Sequence, residues 1–173
     1  MTRTISLREP SKGEFAADGV VHAVGIVAAV AGVIVLIAMI AVRSGLVELV
    51  TAWLWSERAG VISHQTALAL HGLSDALPAH VHLTLPSAWR RRRFRVPADV
   101  VLHYADVPPK DRTWFGAVPT TNPRRSLNDC ACEGLSPELL RRAAQQALRR
   151  GLVAKADLIG VEEALEPFGG FAA

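Results

Sequence analysis

The sequence lacks several features that would mark a class of protein. It holds only two cysteines among 173 residues, too few for a small domain built on disulfides. Its formal net charge of +3 is too small to predict a strong nucleic-acid binder from charge alone. It contains no G-x-S-x-G, Walker or G-x-G-x-x-G motif, so no hydrolase elbow or nucleotide-binding loop is indicated.

Hydrophobic residues are abundant and unevenly spread. They make up 50% of the chain, and charged residues 20%, which excludes a disordered or low-complexity protein. From Gly19 to Val42 there is no charged residue, and His22 is the one polar side chain. Because a helix needs about 20 apolar residues to cross a bilayer, we predict a single-pass membrane protein. Its transmembrane helix would lie at residues 19–42, after a tail at residues 1–18 on either side of the membrane. A buried core helix of a cytoplasmic protein is the alternative.

The beginning of this apolar segment resembles the first span of the hemolysin III family, a group of seven-span membrane proteins. Glu14, His22 and Gly25 carry the resemblance, which covers about residues 8–44. The zinc site of that family draws on later spans, and the sequence shows no later span. The resemblance therefore implies neither a metal site nor an activity, and we interpret His22 as a histidine at the membrane interface.

The remainder of the chain, residues 46–173, has the pattern of a separate α+β domain. Predicted helices come first, then strands, then helices again, which favours a small, mostly antiparallel sheet with flanking helices. The predicted strands are Val81–Leu85, Val100–Tyr104 and Trp114–Val118. The predicted helices run from Ser63 to Gly72, from Pro123, from Ser136 to Gly151 and from Lys155 to Leu165.

Three stretches of this domain resemble the AbiEi-type antitoxin family of type IV toxin–antitoxin and phage-defence loci. They are residues 52–78, Val81–Pro86 and Val118–Asp129, and the last follows the family pattern Thr-x-Pro-x-Arg-x-Leu-x-Asp. Together they span about residues 47–155. The family-motif positions are Ser63, His64, Ala67, Leu68, His71, Thr121, Pro123, Arg125, Leu127 and Asp129.

The resemblance implies an antitoxin or transcriptional regulator that opposes a nucleotidyltransferase-like toxin. Such a protein is not an enzyme and needs no cofactor. The family normally opens with a DNA-binding winged helix-turn-helix, and here the apolar segment stands in its place, so the role implied for this domain is the opposing one. Two alternatives remain: a membrane-anchored binding protein with a single span at residues 19–42, and a non-functional chimera with a hemolysin-III-like first span.

A dense arginine cluster is the strongest charged feature. Arginine forks match phosphate oxygens, and each phosphate contact releases counterions. Trp89 and Phe94 are the nearby candidates for base stacking. We therefore predict contact with DNA or RNA, with a solvated charged loop or a site for anionic lipid headgroups as alternatives. The predicted nucleic-acid-binding residues are Arg90, Arg91, Arg92, Arg93 and Arg95.

The spacing of the histidines does not indicate a metal site. His80 and His82 share one side of a strand but have no third ligand nearby in sequence. His64 and His71 lie two helical turns apart, about 10.5 Å along the axis, too far for one ion with zinc–nitrogen bonds of about 2 Å. We therefore predict no metal ligand.

No catalytic group is indicated either. Ser63 and His64 are adjacent at the start of a helix, where a serine is better explained as an N-cap than as a nucleophile. Asp129 is four residues after Arg125 on the same predicted helix, so we expect these two side chains to pair.

Overall fold

The structure, a computed structural model, describes residues 12–74 and 78–172. The chain divides into two compact units, Met1–Gly45 and Leu46–Ala173. Helix α1, Lys12–Trp55, covers the apolar segment. Residues 1–11 of the predicted tail, and residues 75–77 within the first antitoxin-like stretch, lie outside the described residues.

The prediction of a transmembrane helix at residues 19–42 is wrong. Within residues 12–74 and 78–172, no helix is both long enough and apolar enough to cross a bilayer. The single-span anchored alternative depended on this helix and is corrected with it.

The second unit contains a five-stranded sheet in the order β3-β2-β1-β5-β4. The strands are β1 Val61–Ile62, β2 Val81–Leu85, β3 Val100–Tyr104, β4 Arg112–Phe115 and β5 Val118–Thr121. The pairs β1–β2 and β4–β5 are antiparallel, whereas β2–β3 and β1–β5 are parallel. The α+β class is confirmed, but the sheet is mixed rather than mostly antiparallel. A crossover from β2 to β3 makes these two strands parallel, and sequence alternation does not reveal strand direction.

Two of the predicted strands, Val81–Leu85 and Val100–Tyr104, are confirmed. The predicted strand Trp114–Val118 is wrong, because a hairpin turn lies inside it. Gly116 has a φ of +56°, in the left-handed region that glycine adopts at low cost. This turn separates β4 from β5.

Four further α-helices of the second unit pack against one another, and α2 also contacts β2 and β5. They are α2 His64–Leu70, α3 Pro123–Cys132, α4 Pro137–Arg149 and α5 Ile159–Leu165, the last preceded by a 3₁₀ turn at Lys155–Leu158. The Oδ1 of Asn122 accepts from the backbone N–H of Arg125 and caps α3, and Pro123 occupies its first turn, where a missing N–H costs nothing.

The core has two parts. One lies among the helices and includes Leu68, Leu127 and Leu140. The other lies on the sheet and includes Ile62 and Leu83. All five residues of β2 are buried, and because side chains alternate across a strand, Val81, Leu83 and Leu85 face the second core. His82 and Thr84 face the other way, toward the side chains that form the site below.

Candidate functional site

Three histidines from distant parts of the chain meet on one face of the sheet. His64 is the first residue of α2, His82 lies in β2, and His103 lies in β3. In the parallel β2–β3 pair, Thr84 is opposite His103 and Val101 is opposite His82. Since side chains alternate, this register puts His103 on the same face as His82. We call His64, His82 and His103 the histidine cluster.

The rings of the histidine cluster are in close contact. The rings of His64 and His103 stack with centroids 3.6 Å apart, and those of His82 and His103 lie 5.2 Å apart. The Nδ1 of His82 is 3.0 Å from the Nε2 of His103. One ring nitrogen from each of the three lies within 4.8 Å of the other two.

The second nitrogens of two rings have partners of their own. The Nδ1 of His103 is 2.8 Å from Oε1 of Glu133. The Nδ1 of His64 is 2.9 Å from Oγ of Ser63, and that oxygen accepts a hydrogen bond from Oγ1 of Thr84 at 2.7 Å. Ser63 is the N-cap residue of α2, as predicted, but its hydroxyl makes no cap hydrogen bond. It orients an imidazole instead.

The backbone of His64 is also unusual. Its φ is +52°, a conformation that costs a non-glycine residue roughly 1–2 kcal/mol. Strain of this kind persists where the surrounding contacts fix the side chain. Burial, reinforced by the nearby His103, His82 and Arg125, lowers the pKa of His64 to about 3. Burial, and then the neighbouring His103, also lowers the pKa of His82.

A cleft of about 310 Å³ opens beside the cluster. His64, Arg90, Tyr104, Asp129 and Glu133 are among the residues that line it. The Oδ1 of Asp129 accepts from Nε of Arg125 at 2.7 Å, which confirms the predicted pair. The Oδ2 of Asp129 is buried and has no hydrogen-bond partner among the described residues. Burial raises the pKa of this carboxyl, and the hydrogen bond from Arg125 opposes the effect.

A buried ion-pair network continues from the cleft. Asp111 is 6% exposed, and its carboxylate lies 2.5 Å from Nη2 of Arg124 and 3.7 Å from Nη1 of Arg125. Arg125 is therefore held between Asp111 and Asp129. Sequence reasoning missed Asp111, which precedes a strand and is separated from α3 by the whole β4–β5 hairpin.

The family-motif positions fall into two groups. Ala67, Leu68 and Leu127 are buried in the core, and Pro123 begins α3. The six polar positions form three hydrogen-bonded pairs: Ser63 with His64, His71 with Thr121, and Arg125 with Asp129. Of these pairs, His71 with Thr121 joins motif residues that are far apart in sequence, by linking the end of α2 to β5.

The predicted arginine cluster occupies a 3₁₀ helix at Ser87–Arg91 and the irregular segment that follows. We call residues 90–95 the arginine segment. The guanidinium of Arg92 lies 3.9 Å from the centroid of the Trp89 ring and pairs with Glu57 at 3.1 Å. The Trp89 and Phe94 rings stack with centroids 5.7 Å apart. Arg90 lies 6.0 Å from the Tyr104 ring and reaches the cleft.

The histidine pairs considered in the sequence are not the ones that the fold brings together. His80 is exposed and precedes β2, and the Nε2 of His71 lies 2.7 Å from the carbonyl oxygen of Thr121, outside the cluster. The third member, His103, comes from the neighbouring parallel strand. The sequence does place one histidine in each of the predicted strands Val81–Leu85 and Val100–Tyr104. Only the parallel register of β2 and β3 shows that these two histidines meet.

The comparison with known proteins adds no support to either of the two family resemblances. Neither the models of protein families nor the curated proteins gave a match to this chain.

Acid is expected to destabilise the protein in part through His71. Burial lowers the pKa of this histidine, and the hydrogen bond to Thr121 only partly offsets the effect. The unfolded chain then binds more protons than the folded one as the pH falls below about 6.5. The stabilisation is complete above that pH and is lost on acidification. We expect the urea midpoint of the full chain, followed by tryptophan fluorescence, to fall between about pH 7.5 and pH 5.

The His71→Gln variant keeps a donor for Thr121 but does not titrate, so its midpoint should fall less than that of the unmodified chain. His80→Gln, at an exposed position, is the matched control and should show the full decrease. An equal decrease in the His71→Gln variant and in the control would contradict this role of His71.

Proposed function

We propose that residues 46–173 are an effector domain of the AbiEi antitoxin type, which contacts nucleic acid through the arginine segment and opposes a nucleotidyltransferase-like toxin. It does so without catalysing a reaction. The observation that carries the nucleic-acid contact is the seating of Arg92 over Trp89, with Phe94 beside it. Guanidinium groups and aromatic rings on one surface are the components of a single-strand binding site.

The arginine segment presents charge where a phosphate backbone could reach it. Arg90, Arg91, Arg93 and Arg95 are exposed. Arg92 packs over the Trp89 ring and pairs with Glu57. Its charge is therefore less available to a phosphate than the charges of its neighbours. The surrounding arginines are therefore the ones expected to bind phosphate.

Several arginines elsewhere in the second unit are engaged in the fold. Arg124 and Arg125 pair with Asp111. Arg141 donates to the carbonyl of Gly170, and Arg150 donates to the carbonyl of His71. Arg90, Arg91, Arg93 and Arg95 are nevertheless the densest run of exposed arginines among the described residues, even though the net charge of the chain is small.

The test replaces Arg91, Arg93 and Arg95 together by Gln in the full chain, leaving Arg90 and Arg92 in place. Binding to single-stranded DNA, duplex DNA and single-stranded RNA is measured by fluorescence anisotropy over a series of salt concentrations. We expect the affinity at low salt to fall on the order of tenfold, and the slope of log K against log salt to decrease by about 2.

A matched control removes the same charge at another place. Arg58, Arg149 and Lys155 are exposed, and their joint replacement by Gln should leave the salt slope nearly unchanged. Equal weakening by both triple variants would reduce the contact to bulk charge. Absence of binding by the unmodified chain at low salt would refute it.

The antitoxin role has its own test. The resemblance implies a nucleotidyltransferase-like toxin encoded beside this chain, and we expect co-expression of the full chain to relieve the growth arrest that this toxin causes. The absence of such a neighbour, or an arrest that the full chain leaves unchanged, would contradict the role. The triple Gln variant then shows whether relief requires the arginine segment.

A further inference from the structure

The histidine cluster goes beyond the function proposed above, and no part of that function uses it. We propose that His64, His82 and His103 form a binding site for a divalent transition metal ion, with Zn²⁺ as the preferred occupant. Imidazole nitrogen is a ligand that suits Zn²⁺, and three protein ligands with an open fourth position are a common zinc arrangement.

The spacing of the nitrogens fits a single ion. Zinc–nitrogen bonds of 2.0–2.1 Å in a tetrahedral site place neighbouring ligand nitrogens about 3.3 Å apart. The Nδ1 of His82 and the Nε2 of His103 are 3.0 Å apart, and one ring nitrogen from each of the three histidines lies within 4.8 Å of the other two. The His64 and His103 rings lie parallel to within 19°, so binding one ion requires the His64 ring to turn out of this stack and point a nitrogen toward the ion.

The outer contacts select the nitrogens that would face the ion. Metal-binding histidines usually engage their second ring nitrogen with a carboxylate, a carbonyl or a water molecule, which fixes the orientation of the ring. Glu133 holds the Nδ1 of His103, and Ser63 holds the Nδ1 of His64. Both rings are thereby turned so that Nε2 is available, and Thr84 in turn fixes the hydroxyl of Ser63.

A hydrogen bond between histidines explains only part of this geometry. One proton satisfies the close pair of nitrogens on His82 and His103, but it gives no role to the His64 ring, which stacks on His103 in a strained backbone conformation. A metal ion gives each of the three rings a role as a ligand. The cleft supplies the open side, and the unpartnered Oδ2 of Asp129 in its wall is an acceptor for a water molecule bound at the fourth position.

The test uses the full chain, prepared without a polyhistidine tag and stripped of metal with a chelator. Co²⁺ is added as a spectroscopic probe, because a tetrahedral nitrogen site gives Co²⁺ a characteristic visible absorption, and Zn²⁺ is then titrated in competition. We expect one Co²⁺ per chain, displaced by Zn²⁺, and no Co²⁺ signal from the His103→Ala variant.

Glu133→Gln is the second variant, and it guards against misfolding of His103→Ala. Glu133 is on the surface, with its side chain 48% exposed, so the change should preserve the fold. Loss of an outer-shell partner typically lowers metal affinity 10–100-fold, and we expect a decrease in this range for Zn²⁺. His80→Ala, which changes an exposed histidine outside the cluster, should bind like the unmodified chain.

Two outcomes would overturn the assignment: a folded chain that binds no Co²⁺ or Zn²⁺ stoichiometrically, or an affinity that Glu133→Gln leaves unchanged. The result is separable from the nucleic-acid proposal, since the triple Gln variant of the arginine segment retains all three histidines and should bind Zn²⁺ normally.

Discussion

Replacing Leu83 by Ala is expected to lower the free energy of unfolding by about 3 kcal/mol. Leu83 is fully buried in β2, where it lies opposite Ile62 of β1 and Leu102 of β3. Removing its branched end costs both the transfer free energy of the lost carbons and the cavity they leave. Because β2 is bonded on both sides, the neighbouring strands cannot close this space without shifting the sheet.

Leu139→Ala is the matched control, because the same atoms are removed from a side chain that is 36% exposed in the first turn of α4. Its cost should be within about 0.5 kcal/mol, the usual range for surface positions. Urea unfolding of both variants at neutral pH provides the comparison. Similar losses in the two variants would show that β2 is not the centre of the second core.

The Leu83→Ala variant also shows whether a loss of stability affects the histidine cluster. It faces the core, whereas His82 and Thr84, on either side of it in the strand, face the histidine cluster. Without urea, the Leu83→Ala variant should stay folded, and its Zn²⁺ affinity should then equal that of the unmodified chain. The variant thus tests whether the two faces of β2 act independently.

Local sequence signals predicted the elements that depend on near neighbours. Alternating apolar residues marked Val81–Leu85 and Val100–Tyr104, and Asn122 before Pro123 marked the start of α3. The two-residue strand β1 gave no such signal, since it is too short to show alternation. The turn at Gly116 was missed because Trp114–Val118 reads as one apolar stretch although it bends in the middle.

The site was harder to predict than the fold because its contacts are long-range. The Arg125–Asp129 pair was predictable, since four residues of helix bring two side chains together. The meeting of His82 with His103 depends instead on a parallel crossover and its register. The position of His64 depends on a positive φ that sequence does not reveal. Ser63 is the N-cap residue there, but its hydroxyl contacts the His64 ring instead of a backbone N–H.

Replacing Asp111 by Asn should destabilise the folded chain by about 2 kcal/mol, the range for losing a hydrogen bond to a charged group. The carboxylate is buried and binds Arg124 and, more distantly, Arg125. Arg124 is 41% exposed, so water recovers part of its solvation in the variant, and the cost stays below that of a fully buried pair. Urea unfolding at neutral pH measures the loss.

Asp106→Asn is the control for this change. Asp106 is exposed and accepts hydrogen bonds from the N–H and hydroxyl of Ser87, so its replacement should cost no more than about 0.5 kcal/mol. The same size of loss at both positions would mean that the ion-pair network contributes nothing beyond ordinary surface polarity.

A double-mutant cycle identifies the partner that accounts for the loss at Asp111. If Arg124 supplies most of the interaction, Asp111→Asn and Arg124→Gln together should cost about 1 kcal/mol less than the sum of the single changes. Additive costs would place the interaction with Arg125 instead. In that case Asp111→Asn should also alter the cleft that Arg125 lines. Arg125 would lose its contact with Asp111 and keep only the one with Asp129.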